Sequence, residues 1–155
     1  MLALPLDNLL EQFKAVCRAD GLQGALRFLN GRTGHRFTAV YRLDGAMIQN
    51  IALFDRLGKS TLDTTRVPLT DSFCQFVVAL DQPGSFQTTH SDSDSRVNGH
   101  AKQGVLNAYV GLPLSRKPGT IYGTLCHFDA EAMELPAGEL ALFEVVGPVL
   151  MDHLD

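Results

Sequence analysis

The thiols are the most nucleophilic side chains of this chain, and there are three of them, Cys17, Cys74 and Cys126. An odd number of widely spaced cysteines is not typical of a disulfide framework or of a C-x-x-C metal pair. We therefore expect three reduced cysteines, mostly buried as small apolar side chains. Cys74 lies near the start of an expected helix, where a lowered thiol pKa would make it reactive, so a thiol-dependent reaction stays an alternative.

The five histidines do not have the spacing of a metal site. None of them forms a pair three or four residues apart, as in H-E-x-x-H. His90 and His100 share the small-residue loop 90–104 and could meet in space, but a solvated loop is the favoured interpretation. The sequence contains no Ser-His-Asp order, P-loop or G-x-G-x-x-G motif, so it predicts neither metal nor hydrolytic chemistry.

The same loop carries Arg96, whose planar guanidinium would suit the carboxylate or phosphate of an anionic ligand. Alternatively, Arg96 pairs with Asp92 or Asp94 and only fastens the loop. The two interpretations differ in the expected effect of Arg96→Ala, on ligand affinity in the first case and on stability without ligand in the second.

Composition excludes several classes of function. The chain has 155 residues, 45% of them hydrophobic, with a formal net charge of −4 and scattered basic residues. We expect no nucleic-acid partner and no attraction to an anionic membrane. No apolar run reaches the length of a membrane span, and the N-terminus lacks the pattern of a signal peptide. These features predict a cytoplasmic protein.

The turn signal Lys117-Pro118-Gly119 predicts an antiparallel hairpin with strands near 105–115 and 119–128. One face of its first strand is continuously apolar. The other face contains Tyr109 and Gly111, and Gly111 leaves room above the backbone, as in the wall of a pocket. The alternative is that the glycines of this hairpin mark bulges in an ordinary strand pair.

Other patterns place this hairpin in an α+β domain. Asp7 is a candidate N-cap for a first helix, and Asp44-Gly45 is a turn signal for a second hairpin, in which Met47, Gln49, Ile51 and Leu53 would share one face. The predicted elements are helices at 7–18, 22–29, 71–80 and 137–154 and strands at 37–44, 47–54 and 85–89. We predict a central antiparallel sheet of five or six strands with helices at both ends.

The two terminal helices predict self-association. The last helix is apolar on more than one face, and the first carries an apolar stripe of Leu6, Leu9, Leu10 and Phe13. A monomer that exposed both surfaces would have an unusually large apolar patch. We therefore expect a homodimer through the terminal helices.

Five short stretches in order resemble GAF domains, over about residues 22–154. They are the Asp44-Gly45 turn, Asp71-Ser72-Phe73-Cys74, Asp94-Ser95-Arg96-Val97, Y-V-G-L-P-L at 109–114 and Y-G-T-L-C at 122–126. Four residues before the aspartate of the D-x-R segment the family often has another aspartate, and here that residue is His90.

The resemblance implies terminal helices on one face of the sheet and a small-molecule cavity on the other, enclosed by the helix near 71–80 and the loop 90–104. It implies a division into an N-terminal helix, 1–20, used for dimerisation or packing, and a GAF domain, 21–155. Most GAF domains are sensory modules, so the output of this one would be a partner protein or its own oligomeric state.

Single residues bear on two chemistries known in the family, bilin attachment and thiol-dependent reduction of methionine sulfoxide. Cys126-His127 resembles the pair that anchors a bilin, but adjacent strand residues point to opposite faces, so bilin attachment is not favoured. A haem site at His90 and His100 is not favoured either, because the loop that carries them has the character of a solvated loop. Cys74 stands where free methionine-R-sulfoxide reductases have a cysteine, but those enzymes carry further cysteines in the loop before the central hairpin, and 90–104 has none.

The leading prediction is therefore a non-catalytic, small-molecule-sensing GAF protein with an unidentified ligand. A thiol-dependent reductase built on Cys74 and a dimerising module with a vestigial pocket are the alternatives. The residues predicted to contact the ligand are Phe73, Cys74, Phe76, His90, Arg96, His100, Tyr109 and Gly111.

Overall fold

A computed structural model describes residues 5–80 and 84–154 of the chain. The helices are α1 Leu6–Asn30, α2 Cys74–Val78 and α3 Glu139–Met151. The strands are β1 Phe37–Asp44, β2 Met47–Asp55, β3 Arg66–Pro68, β4 Phe86–Thr88, β5 Ala108–Leu114 and β6 Gly123–Asp129.

All six strands form one antiparallel sheet in the order β3-β2-β1-β6-β5-β4. The two predicted hairpins join along β1 and β6, so the last strand in sequence lies in the middle of the sheet. The predicted α+β architecture, with five or six antiparallel strands, is confirmed.

Both predicted hairpins form, and the first turns at Gly45 and Ala46, one residue later than the Asp44-Gly45 signal. Gly45 has a φ of 61° in the two-residue connection between β1 and β2. At the other hairpin the Thr120 N–H donates to the Lys117 carbonyl over 3.1 Å, and Gly119 supplies the φ of 80° that a type II turn needs after proline.

A bulge changes which residues of β2 share a face. The register shifts between Val40 and Tyr41, so Ile51 is an extra residue in β2. The prediction that Met47, Gln49, Ile51 and Leu53 share one face is therefore wrong. The Asn50 side chain donates to the carbonyls of Val40 and Ala52, which stabilises the irregular site.

The terminal helices pack on one face of the sheet, as predicted. Their buried residues and those of the strands below them form the helix-side core, which includes Leu9, Phe13, Leu26, Leu112, Leu125, Phe143, Val146 and Leu150. Most of the apolar stripe of α3 is thus covered within the chain. Among the described residues of α1 and α3, the apolar side chains left for self-association include exposed Leu6 and the partly buried Leu10, Val145 and Val149.

The first helix is one run broken by a kink. Gly21 has a φ of 68° and a ψ of −157°, which separates the two predicted helical segments. The prediction of Asp7 as N-cap is wrong, because Pro5 occupies that position and Asp7 lies in the first turn.

The helix predicted over 71–80 is shorter than its apolar stripe indicates. The sequence predicts Thr70 or Asp71 as the cap of this helix. This prediction is wrong, because a 3₁₀ turn at Leu69–Asp71 precedes α2 and the Ser72 hydroxyl accepts from the Cys74 N–H over 3.0 Å. The sequence also predicts that Pro83 ends this helix, and Pro83 lies outside the described residues. Among the helices that are described, none is long and apolar enough to cross a membrane.

Candidate functional site

A cavity of about 530 Å³ lies on the sheet face opposite the terminal helices, and we call it the sheet cavity. Its floor is β1, β2, β5 and β6, and its walls are the loop 56–65, the start of α2 and the segment 102–106. The lining residues are Phe37, Tyr41, Ile48, Asn50, Leu53, Ser60, Thr61, Asp63, Thr65, Val67, Asp71, Ser72, Phe73, Cys74, Lys102, Val105, Leu106, Tyr109 and Phe128.

The lining is aromatic and aliphatic, with a few polar groups. Five aromatic rings take part, and the charged lining residues are Asp63, Asp71 and Lys102. Burial raises the pKa of Tyr41 and of Tyr109 well above the ordinary value, so both phenols stay protonated and can donate hydrogen bonds. Such a lining is the usual make-up of a site for a small organic molecule.

Asp55 fixes one wall of the sheet cavity. Its carboxylate accepts two hydrogen bonds from Arg36, over 2.8 and 2.9 Å, and others from the backbone N–H groups of Leu57, Lys59 and Ser60. The Arg36 guanidinium holds the pKa of Asp55 well below its usual range. The loop 56–65 therefore leaves β2 in a defined direction and turns its polar residues toward the cavity.

The Cys74 sulfur lies in a cluster of hydrogen-bonding groups at the base of the cavity. Its distance to the Thr124 hydroxyl is 3.2 Å, and the Tyr109 hydroxyl donates to it over 3.3 Å. The neighbouring Cys126 thiol, then the hydroxyls of Ser72, Thr124 and Tyr109, lower the pKa of Cys74 to about 6 despite its burial. Burial raises the pKa of Cys126 well above its ordinary value.

Three of the eight predicted contact residues, Phe73, Cys74 and Tyr109, line the sheet cavity. The other five, Phe76, His90, Arg96, His100 and Gly111, lie outside its lining. The expected room above Gly111 is filled by the ring of Tyr109, because a Cβ at Gly111 would lie 2.5 Å from the Tyr109 hydroxyl oxygen. The cavity lies instead toward β1 and β2.

Phe76 and His100 form a packed layer behind Phe73. The Phe76 ring stacks on Phe86 with centroids 5.0 Å apart, and the His100 ring is 4.9 Å from that of Phe73. His100 is also held by Gln75, at 3.0 Å. Over the described parts of the chain, no three His, Cys, Asp or Glu side chains come together as a metal site.

Arg96 fastens its own loop. Its guanidinium forms an ion pair with Asp94 over 2.6 Å, donates to the carbonyl of Gln87 and lies over the Phe86 ring at 4.8 Å. The Arg96 hydrogen bonds hold the pKa of Asp94 well below its usual range. All these partners belong to β4 and the loop that follows it. In this structure Arg96 therefore fastens its loop by pairing with Asp94, which is the second of the two interpretations given above.

Cys126 and His127 point to opposite faces of β6, as strand geometry requires. Cys126 belongs to the core on the cavity side, and its thiol approaches the Ala39 carbonyl at 3.8 Å. His127 stacks on Phe143 of α3. Both residues are buried.

Sequence reasoning missed the part of the cavity that is built on β1, β2 and the loop 56–65. Phe37 and Tyr41 share a face of β1, and Phe128 shares a face of β6 with Cys126, so period-2 alternation could have placed these rings together. The loop 56–65 gave no such signal, because a run of polar residues predicts an ordinary solvated connection between strands.

The sequence matches no family model and no curated protein. Solved structures do resemble it. Over 97% of this chain and 93% of the other, it superposes on the GAF domain of an Acinetobacter phosphoenolpyruvate-protein phosphotransferase, with a TM-score of 0.75 and 11% identity.

Two further structures carry ligands on the same fold. The phycocyanobilin-bound GAF domain of a cyanobacterial phytochrome gives a TM-score of 0.72 at 15% identity, over 97% of this chain and 94% of that one. The free methionine-R-sulfoxide reductase of Neisseria meningitidis, in complex with its substrate, gives a TM-score of 0.72 at 16% identity, over 99% of this chain and 92% of that one. The chain described here has the fold of a GAF domain.

Proposed function

We propose that this protein is a sensory domain that binds a small organic molecule in the sheet cavity and does not transform it. The single observation that carries the proposal is the cavity itself, about 530 Å³ with an aromatic lining, on the face opposite the terminal helices. The phytochrome domain and the reductase support it, since each has this fold and was solved with a small molecule bound.

The chemistry of the lining narrows the ligand class. Five aromatic rings favour a flat or largely apolar body, and the phenol of Tyr41 offers a hydrogen-bond donor at the floor, whereas the Tyr109 hydroxyl donates to the Cys74 sulfur. The polar end of the ligand would face Asp63, Asp71 and Lys102. Arg96 is no part of this proposal, because its guanidinium is engaged by Asp94 and Gln87.

The test is native mass spectrometry of the purified protein, followed by identification of any small molecule that it retains. Val105→Trp is the blocking variant, because Val105 is 56% exposed and lines the cavity. Leu57→Trp is the matched control, since Leu57 is 55% exposed and does not line the cavity. We expect Val105→Trp to reduce ligand occupancy at least tenfold and Leu57→Trp to leave it unchanged. Equal occupancy in both variants would contradict the proposed site.

A thiol-dependent reductase is the second candidate, and one observation favours it. Cys74 lines the cavity and has a lowered pKa. The assay is turnover of free methionine sulfoxide with a thiol reductant. Turnover that disappears in Cys74→Ser would establish the reductase and overturn the non-catalytic proposal.

A third candidate is a dimerising module with a vestigial pocket, which predicts a homodimer and an empty cavity in the native spectrum. For the sensory domain we also propose a homodimer through α1 and α3 and a signalling partner protein. A cytoplasmic location fits the three free cysteines, which are all buried.

A further inference from the structure

The three cysteines occupy two different environments. Cys17 lies in α1, within the helix-side core, and burial raises the pKa of its thiol. Cys74 and Cys126 both lie on the cavity side of the sheet. The two are far apart in sequence, and the packing of α2 on β5 and β6 brings their side chains together.

Contacts on both sides of the Cys74 sulfur define this juxtaposition. The sulfur is 3.2 Å from the hydroxyl of Thr124, which shares a face of β6 with Cys126 two residues later. Cys74 and Cys126 belong to the same buried cluster, and each thiol shifts the pKa of the other. The Tyr109 hydroxyl closes the cluster from β5 at 3.3 Å. Cys74 therefore has a second thiol within reach, and Cys17 does not belong to this cluster.

The two thiols differ in their access to small molecules. Cys74 lines the sheet cavity, although only 1% of its surface is exposed, whereas Cys126 is 0% exposed and lies outside the lining. A molecule in the cavity reaches Cys74 first, and Cys126 lies behind it. The narrow access favours a small reagent over a bulky one.

The hydrogen bonds make the two thiols chemically unequal as well. The donors around Cys74 stabilise its thiolate, which is the nucleophilic form, and the pKa of Cys74 falls to about 6. Cys126 stays a protonated thiol, because burial raises its pKa. This is the arrangement of an attacking thiol with a resolving thiol next to it.

We propose that Cys74 and Cys126 are a peroxide-reactive pair, in which a small hydroperoxide that enters the sheet cavity oxidises Cys74 and Cys126 then closes a disulfide with it. In the first step the Cys74 thiolate attacks the terminal oxygen of the hydroperoxide. The O–O bond breaks, the alcohol or water leaves with a proton from solvent, and Cys74 becomes a sulfenic acid.

In the second step the Cys126 sulfur attacks the Cys74 sulfur. The S–S bond forms, the S–O bond breaks, and hydroxide leaves as water with the proton of Cys126. Two thiols lose two electrons in total, and the hydroperoxide gains them. An external dithiol restores the reduced pair by thiol–disulfide exchange.

The test treats the reduced full-length chain with hydrogen peroxide and follows free thiols in denaturant, intact mass and peptide maps. We expect two of the three thiols to disappear, the mass to fall by about two hydrogen atoms, and one peptide to link Cys74 to Cys126. The loss should be at least about tenfold faster than the oxidation of Cys17 in the same molecule. The bulky cumene hydroperoxide should react more slowly than hydrogen peroxide, and dithiothreitol should restore both thiols.

Variants separate the two roles. Cys74→Ala should abolish the fast reaction, and Cys126→Ala should leave a Cys74 sulfenic acid that dimedone traps, whereas Cys17→Ala should react as the wild type does. Circular dichroism checks that each variant folds, and if Cys126→Ala does not, the peptide map of the wild type decides the pairing. Equal oxidation rates for all three cysteines, or a disulfide that includes Cys17, would overturn the proposal. Both outcomes are measured without a ligand, so they are independent of whether the cavity retains one.

Discussion

The imidazole of His127 lies on the ring of Phe143, with centroids 4.4 Å apart and ring planes 20° apart. His35 stacks on the same imidazole at 5.7 Å, and the Thr38 hydroxyl is 2.7 Å from His127 Nδ1. Burial lowers the pKa of His127 to about 3 and that of His35 to about 4. Two neutral histidines thus connect β6 and the start of β1 to α3.

This pair predicts acid sensitivity. Below about pH 6.5 these histidines become protonated in the unfolded chain but stay neutral in the folded protein. The free energy of unfolding therefore falls as pH decreases from about 6.5 toward 4. Each histidine contributes up to about 1.4 kcal/mol per pH unit. Urea unfolding at pH 7 and pH 5 measures the slope. In His127→Gln the slope of the unfolding free energy against pH should be shallower by the contribution of one histidine, up to about 1.4 kcal/mol per pH unit. In the exposed control His153→Gln this slope should be unchanged. Identical slopes in all three proteins would contradict the role of His127.

Removing the Arg96 side chain should destabilise the protein without ligand. Arg96→Ala loses the pair with Asp94, the bond to Gln87 and the contact with Phe86, and we expect a loss of about 1 kcal/mol, given the exposure of the guanidinium. Arg66→Ala is the control, because the pair of Arg66 with Asp44 is exposed on both sides and should contribute about 0.5 kcal/mol or less. Chemical denaturation of both variants measures the difference. Equal stability of Arg96→Ala and wild type would contradict the role of Arg96 in fastening its loop.

Much of the fold was predictable from sequence, because turns and alternation are local signals. Gly45 and Gly119 mark their turns by conformations that few other residues adopt. The bulge at Ile51 was not predictable, since it depends on pairing with β1. The sequence also could not show that the space above Gly111 is filled. The Tyr109 ring fills it, and the rotamer of that ring is set by tertiary packing.

Gly123 should not tolerate a side chain. A Cβ at this position would lie 1.8 Å from the backbone carbonyl oxygen of Tyr41, and neither strand can move without breaking the β1–β6 ladder. We expect Gly123→Ala to cost about 3 kcal/mol or more, or to prevent folding. Gly84→Ala is the matched control, because a Cβ there meets no atom within 4 Å. It should shift the thermal midpoint little, and a Gly123→Ala protein as stable as this control would show that the strands can separate at Gly123.

The proposed homodimer is best tested at the exposed start of α1. Leu150→Glu would report on folding instead, because Leu150 is completely buried within the chain's own core. Leu6 is 37% exposed, and Leu6→Glu should shift a dimer built on α1 and α3 toward monomer in light scattering. Leu62→Glu, on the cavity side, is the control and should not. A wild-type monomer at micromolar concentration would reject the dimer.

The central place of β6 has a consequence for synthesis on the ribosome. β6 is the last strand to be made, yet it lies between β1 and β5. Until residues 123–129 have emerged, the 37–55 hairpin carries an unpaired edge along β1, and β5 has no partner on the side that β6 will occupy. The sheet can close only late, through contacts between distant parts of the chain, so a nascent or truncated chain without β6 exposes two edges that invite pairing with other chains.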